Sequence, residues 1–371
     1  MAPQRPKGAG ALDTKTALSP APVPPESGEL YAALDLGTNS CRMLIAQPVG
    51  NSFHVVDSFS KSVQLGAGLE KTGRLSRGSM TRTIQALKIC QQKLRRNRVR
   101  NMRLVATEAC RRALNADEFI RRVHRETGLR LDIIKPQEEA QLAVISCAPL
   151  VSKNTENLLV VDIGGGSTEL VWIDLKDVPR KERAQSIMRL NAGFVQGLSD
   201  VPSARVVDWI SVPLGVATLR DQFNDVDDDA ARFALMSWFF EENLSDFAPY
   251  HDTHTHEKFQ IVGTSGTVTT VAASHLGLKR YDRTKVDGLH MSTEQIDRVI
   301  RSYLALGPEG RRADPRIGQD RHALIMSGAA ILQALMRCWP TNRLSVADRG
   351  LREGLLYAQM SAHGVLEDGD H

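Results

Sequence analysis

Several features that would place a protein of this length in a special class are missing from the sequence. No window reaches the ~18 uninterrupted apolar residues that a membrane-spanning helix needs, and no repeat of about 20–50 residues marks a solenoid. The net charge of +4 is too small to indicate nucleic-acid binding by itself. Charged residues make up 24% and apolar residues 42% of the 371 positions, an ordinary globular composition that allows two domains with separate cores. We therefore expect neither a membrane nor a nucleic acid as a partner.

Cysteine is scarce and follows no motif. The sequence has five cysteines, an odd number without Cys-x-x-Cys spacing, which argues against a disulfide framework and against a zinc site. This usage fits a reducing compartment, and a cytoplasmic location is expected. Cys41 lies in a candidate loop but has no histidine partner in a matching motif, so a packing role is expected. His251, His254 and His256 have a spacing that resembles a metal site, but their loop is polar and a solvated loop is favoured.

The two ends of the chain are predicted to be loose. Residues 1–29 are rich in Pro, Ala, Ser and Gly and lack the apolar stretch of a secretory signal, which predicts a disordered extension. Residues 363–371 are predicted to form a loose tail. The folded part of the chain is therefore expected to begin near residue 30.

Two stretches of the sequence share one plan: an apolar strand that ends in an aspartate, a glycine turn with hydroxyl residues, and a second apolar strand. Asp35 precedes the first turn and Asp162 the second. Strands on either side of such a turn predict a β-hairpin. Two of these hairpins in one chain indicate two related domains that face each other across a cleft. The turn residues are Gly37, Thr38, Asn39 and Ser40 in the first, and Gly164, Gly165, Gly166 and Ser167 in the second.

Consecutive glycines lose much backbone entropy on folding, so the second turn must need either positive φ angles or a surface without side chains. Backbone N–H groups that hold a phosphate are the usual reason for such a surface. An ordinary hairpin turn is the alternative. A third strand, turn and helix over residues 259–270 carries Gly266 among hydroxyl residues, and the start of its helix also suits an anion.

Charged residues near these turns are candidates for the chemistry. Arg111 follows a predicted strand, at the edge where open α/β sheets bind ligands, and is a candidate phosphate clamp. Glu138 and Glu139 lie in the first turn of a predicted helix, where acidic residues also stabilise the helix start. Neighbours on a helix point about 100° apart, so only one of the two can face the cleft.

Together these residues can support phosphoryl transfer, which needs positioned phosphates, neutralised charge and an oriented nucleophile. The two turns and Arg111 supply hydrogen-bond donors. Asp35, Asp162 and Glu169 supply hard oxygen ligands suited to Mg²⁺. A glutamate among like charges has a raised pKa, which suits a general base, and Glu139 and Glu169 are the candidates.

Three further patterns concern the rest of the chain. The basic run over residues 93–100 ends a predicted helix and is interpreted as a solvated helix end, with binding of a phosphate polymer as the alternative. Residues 186–190 are predicted to form a strand. The helix predicted over residues 228–244 is expected to bury Trp238, Phe239 and Phe240.

The whole motif set resembles the exopolyphosphatase and guanosine-pentaphosphate phosphohydrolase (Ppx/GppA) family. The resemblance extends from about Tyr31 to Tyr357, through motifs at residues 35–40, 69–76, 138–140, 162–169, 214–215, 263–267 and 345–354. It implies an α/β fold of two ribonuclease-H-like, actin-like domains around a cleft. It also implies hydrolysis of the terminal phosphate of a linear phosphate chain, either inorganic polyphosphate, which is favoured, or guanosine pentaphosphate (pppGpp). A homodimer is implied as well.

The resemblance implies roles for individual residues. Glu139, the second glutamate of the Glu–Glu–Ala motif, corresponds to the base, and Glu169 to a residue that binds metal and orients water. Asp162 corresponds to a metal ligand and Arg111 to a phosphate ligand. The expected domains are residues 30–137, completed by a C-terminal helix over about 347–362, and residues 138–346.

Two departures from the family pattern qualify these expectations. Lys135 and Pro136 stand where the family has Ser and Gly before the glutamates, so Glu138 is the alternative base. The sequence also stops soon after the final helix, as expected for a short form without the helical domains that extend the polymer channel in longer members. An actin-like kinase or ATPase, with residues 263–270 as the remnant of an adenine pocket, is one remaining alternative, although Glu139 and Glu169 argue for water as the nucleophile. A catalytically silent alarmone sensor is the other, and it would be expected to lack one of the carboxylates.

Overall fold

The structure, a computed structural model, describes residues 28–190, 203–251, 258–318 and 321–366. Most of the predicted extension and tail, together with His254 and His256, lies outside the described residues. The strands are β1 (Tyr31–Leu36), β2 (Ser40–Val49), β3 (Ser52–Ser62), β4 (Asn101–Ala106), β5 (Asp132–Ile133), β6 (Asn157–Ile163), β7 (Thr168–Asp174), β8 (Arg205–Val212), β9 (Phe259–Thr264), β10 (His290–Met291) and β11 (Leu344–Ala347). The helices are α1 (Leu69–Thr72), α2 (Arg77–Arg96), α3 (Glu108–Arg112), α4 (Ala116–Thr127), α5 (Pro136–Cys147), α6 (Arg183–Met188), α7 (Val216–Gln222), α8 (Asp229–Glu242), α9 (Gly266–His275), α10 (Arg283–Val286), α11 (Thr293–Ala313), α12 (Ile325–Cys338) and α13 (Leu351–Ala362).

Two mixed sheets organise the described residues, and they share one strand order. In the first sheet β1 pairs with β2 antiparallel and with β4 parallel, in the order β3-β2-β1-β4-β5. In the second sheet β6 pairs with β7 antiparallel and with β9 parallel, in the order β8-β7-β6-β9-β11-β10. Each sheet therefore has a hairpin at its centre and parallel strands beside it. This duplication confirms the two related α/β domains of ribonuclease-H-like, actin-like type.

Helices cover both faces of the first sheet, which explains why β1 is apolar along nearly its whole length. Ala32, Leu34 and Leu36 pack against α2 and α4 in one core cluster. Tyr31 and Ala33 point to the opposite face, where they pack against α5 and α13 in a second cluster. The alternation follows the two-residue period of a strand.

Helices α5 and α13 cross between the two sheets. On its other side α5 packs against β6 and β7 of the second sheet, while α13 packs against β1 of the first. A Cβ atom added to Gly354 would collide with the carbonyl oxygen of Leu142, so the crossing point requires a glycine on α13. The two lobes are therefore held in close contact through this helix pair. The proposed domain limits themselves stay a prediction.

Two local predictions were wrong. Residues 183–188 form helix α6 rather than a strand at 186–190, because Arg183 and Ile187 are spaced four apart and both face the core. In α8, Phe240 is buried but Trp238 is 56% exposed, since three consecutive helix residues cannot all face one side. Among the helices of the described ranges, none combines the length and the apolar character needed to cross a bilayer.

Candidate active site

The two predicted hairpin turns have the same backbone closure. The Gly37 N–H donates to the Ser40 carbonyl at 2.9 Å, and the Gly164 N–H donates to the Ser167 carbonyl at 2.9 Å. Each turn follows the central strand of its sheet, so the topology brings both turns to one side of the molecule. The two turns therefore occupy equivalent positions in the two sheets.

Close approach, and not positive φ, explains the glycines of the second turn. None of Gly164, Gly165 and Gly166 has a positive φ. A Cβ atom on Gly165 would lie 3.2 Å from the backbone N of Asn39 in the first turn, so the two turns are packed against each other. Gly215, just before α7, approaches from the other side, and a Cβ there would lie 2.6 Å from the carbonyl oxygen of Gly164. The sequence therefore uses glycine here because neighbouring backbones leave no room for side chains.

A cavity of about 300 Å³ lies between the lobes, and both turns line it. The third predicted turn, which starts α9, also contributes to its wall. Ser265 caps that helix by accepting a hydrogen bond from the Val268 N–H at 3.0 Å. The predicted residues that line the cavity are Asp35, Gly37, Thr38, Asn39, Ser40, Glu139, Asp162, Gly164, Gly165, Gly166, Ser167 and Gly266.

The two neighbouring glutamates of α5 point in different directions. Glu139 lines the cavity and is 8% exposed, and its Oε2 accepts a hydrogen bond from Nη1 of Arg111 at 2.6 Å. Glu138 pairs instead with Arg103 on β4. Pro136 occupies the first turn of α5, where its missing N–H has no helical partner to lose. The structure thus places Glu139, and not Glu138, at the cavity.

Arg111 lies next to the cavity but is engaged by carboxylates. Its guanidinium contacts Glu108 at 2.8 Å as well as Glu139 at 2.6 Å, and Nη1 also donates to the Ile134 carbonyl. Its side chain is 13% exposed and is not one of the described residues lining the cavity. In this arrangement Arg111 holds the carboxylate of Glu139. Its predicted role as a phosphate ligand stays a prediction.

Glu169 lies directly across the hairpin from Asp162, in register with it, but it is not one of the described residues lining the cavity. Its Oε1 accepts a hydrogen bond from Oγ of Ser211 at 2.8 Å. Its Oε2 is buried and has no hydrogen-bond partner among the described residues. A buried carboxylate oxygen without a partner is costly unless the site binds a proton or a cation.

Burial raises the pKa of Asp35, Glu139, Asp162 and Glu169, and repulsion within this group raises it further for the last three. The pKa of Asp162 is raised to about 8, first by burial and then by the negative charges of Glu139 and Asp35. The pKa of Glu169 is raised to about 7, first by burial and then by Asp162. Burial and the charge of Glu169 raise the pKa of Glu139 well above its usual value, against the opposing charge of Arg111. Burial also raises the pKa of Asp35.

The donor chemistry of the site suits a divalent cation that is held partly by substrate. Among the described residues, no group of three or more His, Cys, Asp or Glu side chains is arranged to hold a metal ion alone. Mg²⁺ is usually bound by only one or two carboxylates, with waters and substrate phosphates completing its ligands. Asp35 and Asp162 line the cavity, and Oε2 of Glu169 lacks a partner. Asp35 and Asp162 fit that pattern as direct ligands, and the free Oε2 of Glu169 lies across the hairpin from Asp162.

Sequence reasoning missed several cations of the cavity wall. Arg42 lies opposite Asp35 in the first hairpin, and hairpin register could have revealed it. Arg321 precedes α12 and donates to the Gly266 carbonyl at 2.9 Å, an approach that nothing in the local sequence indicates. Lys61, Arg349 and Arg352 complete the set of described cations that line the cavity.

This fold, with facing glycine turns and buried carboxylates in one cleft, defines a two-domain protein of the actin-like class. The chain belongs to the Ppx/GppA phosphatase family, because a sequence model of that family matches residues 44–363. Phosphatases of this family are hydrolases that act on phosphoanhydride bonds. The resemblance noted from the motifs is thereby confirmed.

Comparison with individual proteins agrees with this assignment. A guanosine-5'-triphosphate,3'-diphosphate pyrophosphatase of Aeromonas salmonicida is 29% identical over 88% of this chain and 59% of its own length. The matching protein of Aeromonas hydrophila is 28% identical with the same coverage. The chain thus spans about three-fifths of the length of these curated relatives.

Two solved structures show the same fold. The Aquifex aeolicus member of the Ppx/GppA family has a TM-score of 0.69 and 29% identity, and the match covers 90% of this chain and 98% of that one. An exopolyphosphatase from Cytophaga hutchinsonii has a TM-score of 0.74 and 22% identity, covering 90% and 98% of the two chains. At that identity the second comparison speaks for the fold alone.

Proposed function

We propose that this protein is a metal-dependent phosphohydrolase that releases terminal orthophosphate from inorganic polyphosphate. The observation that carries the proposal is the position of Glu139. It is a buried glutamate with a raised pKa at the wall of a cavity that is lined by glycine turns from both lobes. A raised pKa makes a carboxylate a stronger base at neutral pH.

In the proposed reaction a water molecule attacks the terminal phosphorus of the chain. Glu139 accepts a proton from this water, the bond between the terminal phosphorus and the bridging oxygen breaks, and the shortened chain leaves with the bridging oxygen. Arg111 keeps the Glu139 carboxylate in place through the 2.6 Å contact. The products are orthophosphate and a polyphosphate that is one unit shorter.

Backbone and side-chain donors on the cavity wall would hold the phosphates. The N–H groups of the two turns and the start of α9 suit phosphate oxygens. Arg42 and Arg321 supply positive charge from opposite lobes. Asp35, Asp162 and Glu169 would hold the proposed Mg²⁺, which when bound supplies positive charge that offsets the negative charge of the transferred phosphoryl group.

The cavity wall favours a phosphate chain over a nucleotide. No aromatic side chain is found among its described lining residues, and a nucleobase is commonly held by stacking on an aromatic ring. The same absence of a base-binding surface weighs against an actin-like kinase or ATPase. A silent sensor is disfavoured because Asp35, Glu139, Asp162 and Glu169 are all present and clustered.

A pppGpp 5'-phosphohydrolase is the second candidate, and two observations favour it. The Aeromonas relatives carry that activity in their names. Tyr281 is 44% exposed and interacts with Asp348 and Thr269, both of which line the cavity, so an aromatic ring is present at its edge. A guanine could stack there.

A cytoplasmic location is part of the proposal. All five cysteines are unpaired and buried, as expected in a reducing compartment. The homodimer implied by the family resemblance stays a prediction.

The test is phosphate release from polyphosphate and from pppGpp, measured side by side with Mg²⁺. The proposal expects turnover of polyphosphate and its loss in Glu139→Gln with binding retained. Glu138→Gln, the matched control, should keep most activity, since Glu138 pairs with Arg103. Tyr281→Ala should raise the KM for pppGpp only. A Glu139→Gln variant that is as active as the wild type would overturn the assignment of the base.

A further inference from the structure

We propose that the basic end of α2 and the turn after it form a second polyanion-binding surface, which holds the distal part of a long phosphate chain whose end lies in the cleft. The surface consists of Arg95, Arg96, Arg98 and Arg100, and we call it the α2 arginine cluster. The inference rests on the proposed function, because it requires a phosphate chain as substrate.

Positive charge is concentrated on the first lobe. Residues 28–137 contain 20 Lys and Arg against 9 Asp and Glu, whereas residues 138–371 contain 24 against 32. Within the first lobe, residues 77–100 contain eight Lys and Arg and no Asp or Glu. A surface of one sign attracts polyanions and raises their local concentration, even when the net charge of the whole chain is small.

The cluster is exposed and its charge is not compensated. All four arginines are exposed. Other cations of α2 do have partners, since Lys88 pairs with Glu126 at 3.2 Å and Lys93 with Asp57 at 2.6 Å. No ion pair involves the four arginines within the described part of the chain. Their guanidinium groups are therefore available to an external anion.

The simplest alternative, a solvated helix end, accounts for only part of the cluster. Cations in the last turn of a helix interact favourably with its dipole, which explains Arg95 and Arg96. Arg98 and Arg100 lie beyond the helix, where this effect is weak.

The backbone of Arg98 adds a second, independent observation. Its φ is +52°, in the left-handed region. This is the position after the helix that glycine usually occupies, and the turn is closed by the N–H of Val99, which donates to the Leu94 carbonyl at 3.0 Å. An arginine thus occupies a place where glycine would relieve strain. Strain of this kind points to a function for the side chain.

The position of the cluster sets a length requirement on its ligand. Near the start of α2, Nε of Arg82 donates to the Val63 carbonyl at 3.2 Å, and the Val63 N–H donates to the carbonyl of Asn39 in the first cleft turn. From Arg82, α2 continues for 14 residues, about 21 Å, to Arg96 in the cluster. Only a chain long enough to span this distance can occupy the cleft and the cluster together. Tripolyphosphate is too short.

An inorganic chain fits this surface better than a nucleic acid. Residues 77–100 contain no Phe, Tyr or Trp. Proteins that bind single-stranded nucleic acids combine positive charge with aromatic side chains on which bases stack. The cluster offers charge alone, and charge is all that an inorganic phosphate chain presents.

The main test compares chain lengths in a variant in which Arg95, Arg96, Arg98 and Arg100 are all replaced by Gln. The KM for long-chain polyphosphate should rise at least tenfold, with kcat unchanged, while the KM for tripolyphosphate should stay constant. For the long chain only, the slope of log KM against the logarithm of the salt concentration should fall by about 3, as expected for the loss of four phosphate contacts. The matched control replaces four exposed cations of the second lobe by Gln: Lys176, Lys181, Arg298 and Arg301.

A single substitution separates binding from folding. Arg98→Gly should raise the urea midpoint of unfolding, because it relieves the positive φ, and should still raise the KM for the long chain several-fold. A destabilised protein cannot explain a weaker affinity that accompanies greater stability. A lower urea midpoint, or an unchanged KM, would count against the role of Arg98.

The remaining outcomes are distinguishable. If the quadruple variant and the control have equal long-chain KM values, or if the tripolyphosphate KM rises equally, the second surface is refuted while phosphohydrolase activity stands. If no substrate releases phosphate, the proposed function fails, and binding of fluorescently labelled long-chain polyphosphate decides the surface alone. If an RNA oligonucleotide displaces the labelled polyphosphate at a lower concentration of phosphate groups than unlabelled polyphosphate does, the surface binds nucleic acid and the proposal is wrong.

Discussion

Replacement of Asp162 by Asn should make the metal-free protein more stable while it abolishes activity. Asp162 is half-buried between lobes that hold three other carboxyls, and its pKa is raised from 3.8 to about 8. The charge of Arg42 opposes this shift without reversing it. A carboxyl whose pKa is higher in the folded state than in the unfolded state makes its full contribution to the free energy of unfolding at pH values below its unfolded pKa. That contribution is lost as the pH rises from 3.8 to about 8.

The magnitude follows from the two pKa values. At pH 7 the folded protein keeps a proton on Asp162 that the unfolded chain releases. Each pKa unit corresponds to about 1.4 kcal/mol, and pH 7 lies about three units above the unfolded pKa of 3.8. Ionisation of Asp162 in the unfolded chain therefore lowers the free energy of unfolding by about 4 kcal/mol at that pH. Asparagine has nearly the same shape and cannot ionise. The variant should therefore gain up to about 4 kcal/mol at pH 7 and almost nothing at pH 4.

The assay is urea unfolding in EDTA across the range from pH 4 to pH 8, for the wild type and for Asp162→Asn. Asp177→Asn, on an exposed turn after β7, is the matched control and should show no such difference. Phosphate release, measured after Mg²⁺ is restored, should be lost in Asp162→Asn only. A variant no more stable than the wild type at pH 8, or a gain equally large at pH 4, would refute the reasoning.

Three further predictions follow from the same site. Gly215→Ala should destabilise the protein by about 2–3 kcal/mol, because the new Cβ meets the backbone of the second turn. Gly78→Ala, on the exposed side of α2, is the control and should stabilise the protein by about 0.5–1 kcal/mol. Thermal unfolding of both variants checks this prediction, and equal effects would contradict it. Arg111→Ala should raise the pKa of Glu139 further and move the acidic limb of the kcat/KM profile to higher pH, and a limb that does not move would show that the ion pair is unimportant. EDTA should abolish phosphate release and Mg²⁺ should restore it; turnover that persists in EDTA would remove the metal from the proposal.

The sequence predicted the parts of the site that are locally encoded. An aspartate before a glycine turn between two apolar strands specifies a hairpin within about ten residues of chain, and both hairpins formed as predicted. Helix periodicity showed that only one of Glu138 and Glu139 could face the cleft. The choice between them depends on Arg103 and Arg111, which come from other elements.

The parts that escaped prediction depend on contacts between distant residues. The sequence does not reveal why the second turn has three glycines, because the backbones that require them, near Gly215 and Asn39, are remote in sequence. Arg321 reaches the cavity across 55 residues of chain to Gly266. The strand predicted at 186–190 failed because apolar content alone cannot separate a short strand from a short helix.

The packing of α13 on β1 has a consequence for biosynthesis. Nε2 of Gln359 donates to the Ala32 carbonyl at 3.2 Å, and Leu355, Leu356 and Met360 fill the core beneath Tyr31 and Ala33. These partners are separated by more than 300 residues, so a ribosome delivers the first strand long before the helix that covers it. The first lobe must wait with one face uncovered while the whole second lobe is translated. During that interval the nascent chain exposes apolar surface of the kind that chaperones bind.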